Sequence, residues 1–204
     1  MSSSNWIRWG GRAAILGGAL WAIDWILFII GHSLTHVNQG REVLGLRPDA
    51  WDHLSVIPLG LIAVGLVAVQ SRQAVRTGWP GKDGYAVSLV GLALWTVANL
   101  LRLPPGGILV FAIGMVLFGV GTLRAAALPR WSRGIPLILG VLLVPGFVLT
   151  FPGLVLSFEF ADAIGAFGLA GLFTHIAQGL GWVLLGYTLW SEKGRPVRQP
   201  MRVR

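Results

Sequence analysis

One acidic residue falls in the middle of a long apolar stretch of this chain. Asp24 lies in the sequence LWAIDWILF, inside an apolar run that extends from about 13 to 31. An ionised carboxylate at the centre of a bilayer costs several kcal/mol unless it is paired or protonated. Gly17 and Gly31 lie seven residues on either side, so the three positions share one helix face. We expect this face to pack against other helices, with Asp24 as either a proton or cation site or a structural carboxyl group.

His175 is a natural partner for this acid. Counted from the ends of their apolar stretches, Asp24 and His175 lie about eleven and twelve residues deep, which places both near the midplane, with Gln178 close by. A contact between Asp24 and His175 would relieve the cost of burying both groups. Two other interpretations remain open. His175 is an interior histidine with a structural role, or a tetrapyrrole ligand, because Gly171 one turn earlier leaves room for a planar ring.

A second group of histidines and acids lies near the end of the same first stretch. His32 and His36 are four residues apart and share a face if the helix continues that far. His53 begins the next apolar stretch, and Asp49 and Asp52 precede it. Imidazole and carboxylate ligands suit zinc or copper, so these five residues are a candidate metal site. Polar residues at a helix end also need no metal to explain them.

The elements that position these residues are transmembrane helices. Apolar residues make up 54% of the 204 positions and charged residues only 12%, against about 25% in soluble domains. Stretches of roughly 17 to 25 apolar residues predict membrane spans. The chain is therefore predicted to be an all-α, polytopic helical bundle, one integral membrane domain over 1–204 with basic tails at 1–11 and 192–204. The six predicted spans are about 13–31, 54–70, 85–101, 106–123, 134–156 and 163–190.

The distribution of basic residues predicts the orientation. Of the 16 Lys and Arg residues, only Arg41, Arg47 and Arg102 fall on the outer side when the N-terminus is placed in the cytoplasm. Cytoplasmic loops carry an excess of Lys and Arg, so both termini are predicted to be cytoplasmic. The net charge of +8 is then a topology signal that also attracts anionic lipid, and a nucleic-acid partner is not expected.

Tryptophans and prolines refine this picture. Pro136, Pro145 and Pro152 fall in the fifth span, where each removes a backbone hydrogen bond and predicts a broken helix that could line a cavity. Tryptophans favour membrane interfaces, and those in mid-span are expected to fill gaps between helices. The interfacial set is Trp6, Trp9, Trp79, Trp131 and Trp190 on the inner side with Trp51 on the outer, and the deep set is Trp21, Trp25, Trp95 and Trp182.

The sequence GTLRAAALPRW, followed by a new span, resembles a pattern in small, uncharacterised multi-span proteins of actinobacteria and their relatives. The resemblance covers about 25 residues around Arg124 to Leu139. It implies a multi-span protein of a bacterial plasma (inner) membrane and brings no activity with it.

Three functions are compatible with these observations. No nucleophile elbow, phosphate-binding loop or zinc-protease motif is present, so the first is a non-enzymatic accessory or structural subunit, or an assembly factor, of a membrane complex. The second is a small proton-coupled transporter or channel-like protein that uses Asp24 and His175. The third is a cofactor-binding or metal-binding membrane protein. Expected partners are the lipid bilayer and either other membrane subunits or further copies of this chain, and the sequence itself requires no cofactor.

Overall fold

The chain is helical throughout the part that the structure describes. The computed structural model describes the backbone of residues 3–38, 54–74, 77–101, 103, 106–155 and 161–191, and most of their side chains outside 28–38, 148–155 and 161–170. Three of the helices in these ranges, α2, α3 and α4, are long and apolar enough to cross a membrane. The prediction of an all-α fold is confirmed for the described residues, and these three helices are candidate membrane spans. The helices are α1 (Ser3–Asn38), α2 (Val56–Gln73), α3 (Gly81–Leu101), α4 (Gly107–Ala125), α5 (Ile135–Val155) and α6 (Ala161–Ser191).

The helices extend beyond or shift from the predicted stretches. α1 starts at Ser3 and ends at Asn38, whereas the apolar run covers only about 13–31. Hydropathy marks the apolar part of a helix, and polar residues such as Arg8 and Arg12 continue the same helical backbone. The region 1–11, predicted as a tail, therefore belongs largely to α1.

The prediction of a broken fifth helix is wrong. α5 is helical without interruption from Ile135 to Val155, through all three prolines. Pro136 lies in the first turn, where its missing N–H has no helical partner in any case. Pro145 and Pro152 lie farther along, and such prolines are tolerated in transmembrane helices because neighbouring groups satisfy the freed carbonyls.

Neighbouring helices alternate in direction. Each helix packs against the next one along the chain, and α6 returns to pack against α1. Gly10 lies against Ala68 and Gly17 against Leu61, so α1 and α2 are antiparallel. Gly84 and Gly91 lie against Phe118 and Phe111 in the same reversed order. The starts of α1, α3 and α5 and the ends of α2, α4 and α6 consequently lie together, and we call this the basic end. The described basic side chains found there are Arg8, Arg12, Arg72, Lys82, Arg124, Arg130 and Arg133.

The six helices divide into two units of three. In the first unit, α1 packs against α2 and α6 with backbones in contact, and a Cβ added at Gly179 would lie 2.6 Å from the carbonyl oxygen of Gly18. In the second unit, α4 packs in the same way against α3 and α5, and a Cβ at Gly114 would lie 2.7 Å from Cα of Ser88. Such approaches require glycine because any side chain would collide with the facing backbone. We call the boundary between the two units the seam. It includes the contact of α5 with α6, which is nearly as extensive as that of α4 with α5 but is made through side chains, as at Gly181 and Leu139.

The described tryptophans follow their predicted division, and Trp51 lies outside the described residues. The deep residues Trp21, Trp95 and Trp182 are 3%, 4% and 2% exposed, which confirms that they fill space between helices. At the basic end, Trp79 is 75% exposed, and the guanidinium of Arg12 lies 4.7 Å from the ring centre of Trp9. The exposed tryptophans of that end are Trp6, Trp9, Trp79, Trp131 and Trp190.

The segment that carries the GTLRAAALPRW pattern forms the exit from α4. Ala126 ends the helix in the left-handed conformation, with φ 48°, and its N–H donates to the carbonyl of Thr122. The turn that follows is held by Arg133, whose Nε donates to the carbonyl of Leu128 at 2.6 Å. The pattern therefore marks a helix end and a tight connection to α5.

Candidate functional site

His175 lies in the interior of the bundle on α6. It is 2% exposed, and its ring stacks on the indole of Trp25 with 3.5 Å between ring centres and 8° between planes. Trp21 meets the same imidazole at 5.8 Å and 62°. The close backbone contact between Gly18 and Gly179 holds α1 and α6 together one turn away, so it brings both indoles onto the imidazole.

Aromatic rings continue from this point across the seam. Trp21 contacts Trp95 of α3 edge-on, with 5.0 Å between ring centres and 82° between planes. Trp95 in turn lies 6.2 Å from Phe111 of α4. Edge-to-face pairs of this kind contribute about 0.5–1.5 kcal/mol beyond their buried area. We call these four rings together with His175 the aromatic cluster (Trp21, Trp25, Trp95, Phe111, His175).

Two nitrogen atoms of the aromatic cluster have no hydrogen-bonding partner in the described structure. They are Nε1 of Trp21 and Nδ1 of His175, and both are buried. A buried polar atom without a partner costs about 1–3 kcal/mol. Since tryptophan and histidine each carry a polar atom that usually finds a partner in a protein interior, this is an unusual place in the bundle.

Asp24 borders the aromatic cluster on α1. It is half-buried, three residues after Trp21 and immediately before Trp25. The predicted contact between Asp24 and His175 stays a prediction. Because Nδ1 of His175 has no partner, a hydrogen bond to the carboxylate would have to use Nε2.

Gln178, the third member of the predicted polar group, turns to another helix. Its Nε2 donates to the carbonyl of Leu139 on α5 at 3.3 Å, and its side chain is 3% exposed. The hydrogen bond joins α6 to α5 and so crosses the seam. Within the structure as described, Gln178 therefore connects the two units one turn from His175.

Three more described hydrogen bonds cross the seam, two at the basic end and one at the other end. In the first, Nε of Arg72 on α2 donates to the carbonyl of Ala127, which follows α4, at 3.5 Å. At the basic end, Gln73 of α2 is fully buried and donates from Nε2 to Oγ1 of Thr122 on α4 at 3.1 Å. At the other end, Asn99 of α3 donates from Nδ2 to Oγ of Ser55, just before α2, at 2.9 Å. Nothing in the sequence predicts the Gln73–Thr122 pair, because single polar residues near helix ends are usually solvated.

The candidate metal site lies largely outside the described residues. His32 and His36 are both in the helical backbone of α1, so they have the predicted four-residue helical spacing, but their side chains are not described. His53, Asp49 and Asp52 fall outside the described ranges. The metal site stays a prediction, as does a tetrapyrrole at His175, where two indoles pack around the imidazole.

Comparison with known proteins does not suggest a function for this arrangement of residues. The chain matches no protein family, and no curated protein or solved structure is significantly similar to it.

Proposed function

We propose that this protein is a small multi-pass transporter of a bacterial plasma membrane, in which the two three-helix units move against each other and Asp24 and His175 carry a proton at their seam. One observation supports this function above the others. Backbone contacts at glycine hold each unit together, whereas side-chain hydrogen bonds and aromatic contacts join one unit to the other. Two units that meet through side chains, with few backbone contacts between them, suit rocking motions of the kind that secondary transporters use.

The proposed topology is six spans with both termini in the cytoplasm. Its support is the basic end, which collects Arg8, Lys82, Arg124 and their neighbours with the exposed tryptophans. Lys and Arg on the cytoplasmic side and tryptophan at the interface are the usual markers of this arrangement. The aromatic cluster would then lie within the membrane, where ionisable groups often mark the path of an ion or proton.

Distance measurements between spin labels test the motion, because the chain contains no cysteine that would need removal. Leu123 of α4, Leu16 of α1 and Ala86 of α3 are all exposed, so each accepts a label. The pair Leu16→Cys/Leu123→Cys spans the seam, and the pair Ala86→Cys/Leu123→Cys stays within the second unit. In proteoliposomes, a pH gradient across the membrane should change the first distance and leave the second unchanged. Equal responses of both pairs would reject two-body motion.

Proton flux tests the chemistry separately. Proteoliposomes that contain a pH-sensitive dye should acidify when a potassium diffusion potential is applied. The Asp24→Asn variant should abolish the flux. Asp83→Asn serves as the matched control, because Asp83 is exposed in the first turn of α3 at the basic end and should leave the flux intact. Proton flux that persists in Asp24→Asn would show that Asp24 does not carry the proton.

A structural or accessory role is the second candidate. Its support is the filled centre of the bundle, where Leu66, Phe118, Leu139 and Leu185 from both units are each less than 2% exposed. Such a core suits a rigid subunit that binds to other membrane proteins in a complex. Native purification followed by mass spectrometry tests this, since stoichiometric co-purification of another membrane protein supports an accessory role. An absorption spectrum of the same sample tests for a tetrapyrrole, and metal analysis tests the histidine group.

A further inference from the structure

We propose that the turn between α4 and α5 binds the phosphate of an anionic phospholipid through Arg130 and Arg133, and that the acyl chains of this lipid lie along an exposed apolar stripe of α5. We call the turn and the stripe together the lipid site (Arg130, Trp131, Arg133, Ile138, Val141). The lipid site is independent of transport, because a rigid subunit in the same membrane would bind the same lipid.

The first argument is the backbone of the turn. The N–H groups of Ser132 and Arg133 both donate to the carbonyl of Pro129, at 3.0 and 3.2 Å, so the chain turns as a helix does before α5 begins. Side chains three residues apart on such a turn are neighbours, which places Arg130 beside Arg133. Two like charges at this spacing repel each other, and a phosphate that binds both replaces the repulsion by attraction.

The second argument is the fixed position of Arg133. Its Nε donates to the carbonyl of Leu128 at 2.6 Å, and Nε of Arg72 donates to the preceding carbonyl, that of Ala127, at 3.5 Å. Because consecutive residues are only about 3.8 Å apart, two guanidinium groups meet the same short stretch of chain. Arginine carries five N–H donors in a rigid fork, and a phosphate accepts two of them at once. Nε of Arg133 serves Leu128, and its remaining donors have no partner among the described residues.

The third argument is the balance of charge. Of the acidic side chains that the structure describes, only Asp83 lies at the basic end, on α3. Within the same described part of the chain, neither Arg130 nor Arg133 forms an ion pair. An anionic headgroup at the membrane surface supplies the counter-charge that the protein does not provide at this turn.

The fourth argument is the apolar stripe, which favours a lipid over a free phosphate ion. Trp131, Ile138 and Val141 are each more than half exposed. They are seven and three residues apart, so they lie on one face that runs from the turn into α5. Tryptophan favours the level of the lipid headgroups, and aliphatic side chains favour the hydrocarbon beyond it. A phospholipid with its phosphate at the two arginines therefore meets Trp131 first and lays its chains on Ile138 and Val141.

Native mass spectrometry of the full-length protein, released from detergent micelles, tests the lipid site. Phosphatidylglycerol and phosphatidylcholine with identical chains are titrated, and the wild-type protein should bind phosphatidylglycerol more tightly. Arg130→Gln should weaken this binding about fivefold, the usual effect of one basic residue at an anionic membrane surface. Arg8→Gln is the matched control, because Arg8 is also exposed at the basic end but lies on α1, and it should leave the affinity nearly unchanged. Ile138→Asn keeps the net charge and should weaken phosphatidylglycerol binding through the stripe.

Three results would overturn the proposal. Equal losses in Arg8→Gln and Arg130→Gln would show that net charge alone attracts the lipid. Equal affinity of the wild-type protein for both lipids would show that the arginines do not select an anion. Displacement of phosphatidylglycerol by inorganic phosphate would identify a simple anion site in place of a lipid site. If Arg130→Gln fails to fold, the wild-type protein decides, because added ammonium acetate should weaken phosphatidylglycerol binding and leave phosphatidylcholine binding unchanged. Phosphatidylglycerol binding that does not respond to salt would overturn the role of the arginines.

Discussion

The contact between α3 and α4 and the contact between α2 and α3 join neighbouring helices by different means. Along α3 and α4, Gly84, Gly91, Gly107 and Gly114 place backbone against backbone over the length of the pair. Between α2 and α3 the helices approach in few places, and the pair Ser55–Asn99 supplies a hydrogen bond. One interface belongs to a unit and the other belongs to the seam.

The difference has a physical cause. In a bilayer, burying apolar surface between helices brings little gain, so tight packing at small residues provides most of the attraction. Side-chain hydrogen bonds between membrane helices average only about 0.6 kcal/mol, because the separated helices also find partners. The glycine contacts should therefore resist separation while the seam opens more readily. Gly181 fits this division, since it faces the other unit but meets only the side chain of Leu139.

The largest expected effect comes from adding a methyl group within a unit. In Gly91→Ala, the new Cβ would collide with the backbone of Phe111, and backbone cannot move aside as a flexible side chain can. Overpacking of this kind costs about 1–3 kcal/mol or more. The free energy of unfolding in mild detergent, followed by tryptophan fluorescence, measures it.

Gly60→Ala is the control for that substitution. Gly60 also lies within a helix, α2, but a Cβ there would meet nothing within 4 Å. Because alanine favours helix by up to about 1 kcal/mol over glycine, this variant should be neutral or slightly more stable. If both variants lost stability equally, a general effect of the added methyl group would explain the loss, and close packing at Gly91 would not.

A smaller effect is expected from the buried hydrogen bond at the basic end of the seam. Gln73→Met and Thr122→Val each remove one partner while keeping a similar volume. A double-mutant cycle should give a coupling energy of about 1 kcal/mol, near the upper part of the range for membrane proteins because both side chains are fully buried. A coupling near zero would mean that the close packing around Thr122, and not the hydrogen bond, holds α2 to α4.

The helical fold and the buried positions of the deep tryptophans are predictable from sequence, because both follow from hydropathy and local spacing. The continuous α5 is not predictable in this way, since a proline inside a helix depends on neighbouring helices that one sequence does not reveal. The sequence predicts a common depth for Asp24 and His175, and the structure brings their helices into contact. The stacking of Trp25 on His175 is not predictable, because that contact depends on how α1 and α6 rotate about their axes.

The smallest expected effect belongs to the pair Ser55–Asn99, at the end of the seam farthest from the basic end. Ser55→Ala should cost about 0.5 kcal/mol, because Asn99 is only half-buried and can find another partner. Ser55→Ala should affect the motion of the two units more than it affects the free energy of unfolding. If the units rock about the seam, removing this hydrogen bond should broaden the Leu16–Leu123 distance distribution and leave the Ala86–Leu123 distribution unchanged. A loss of stability as large as that of Gly91→Ala would mean that the seam is held as firmly as the units, and the bundle would then behave as one rigid body.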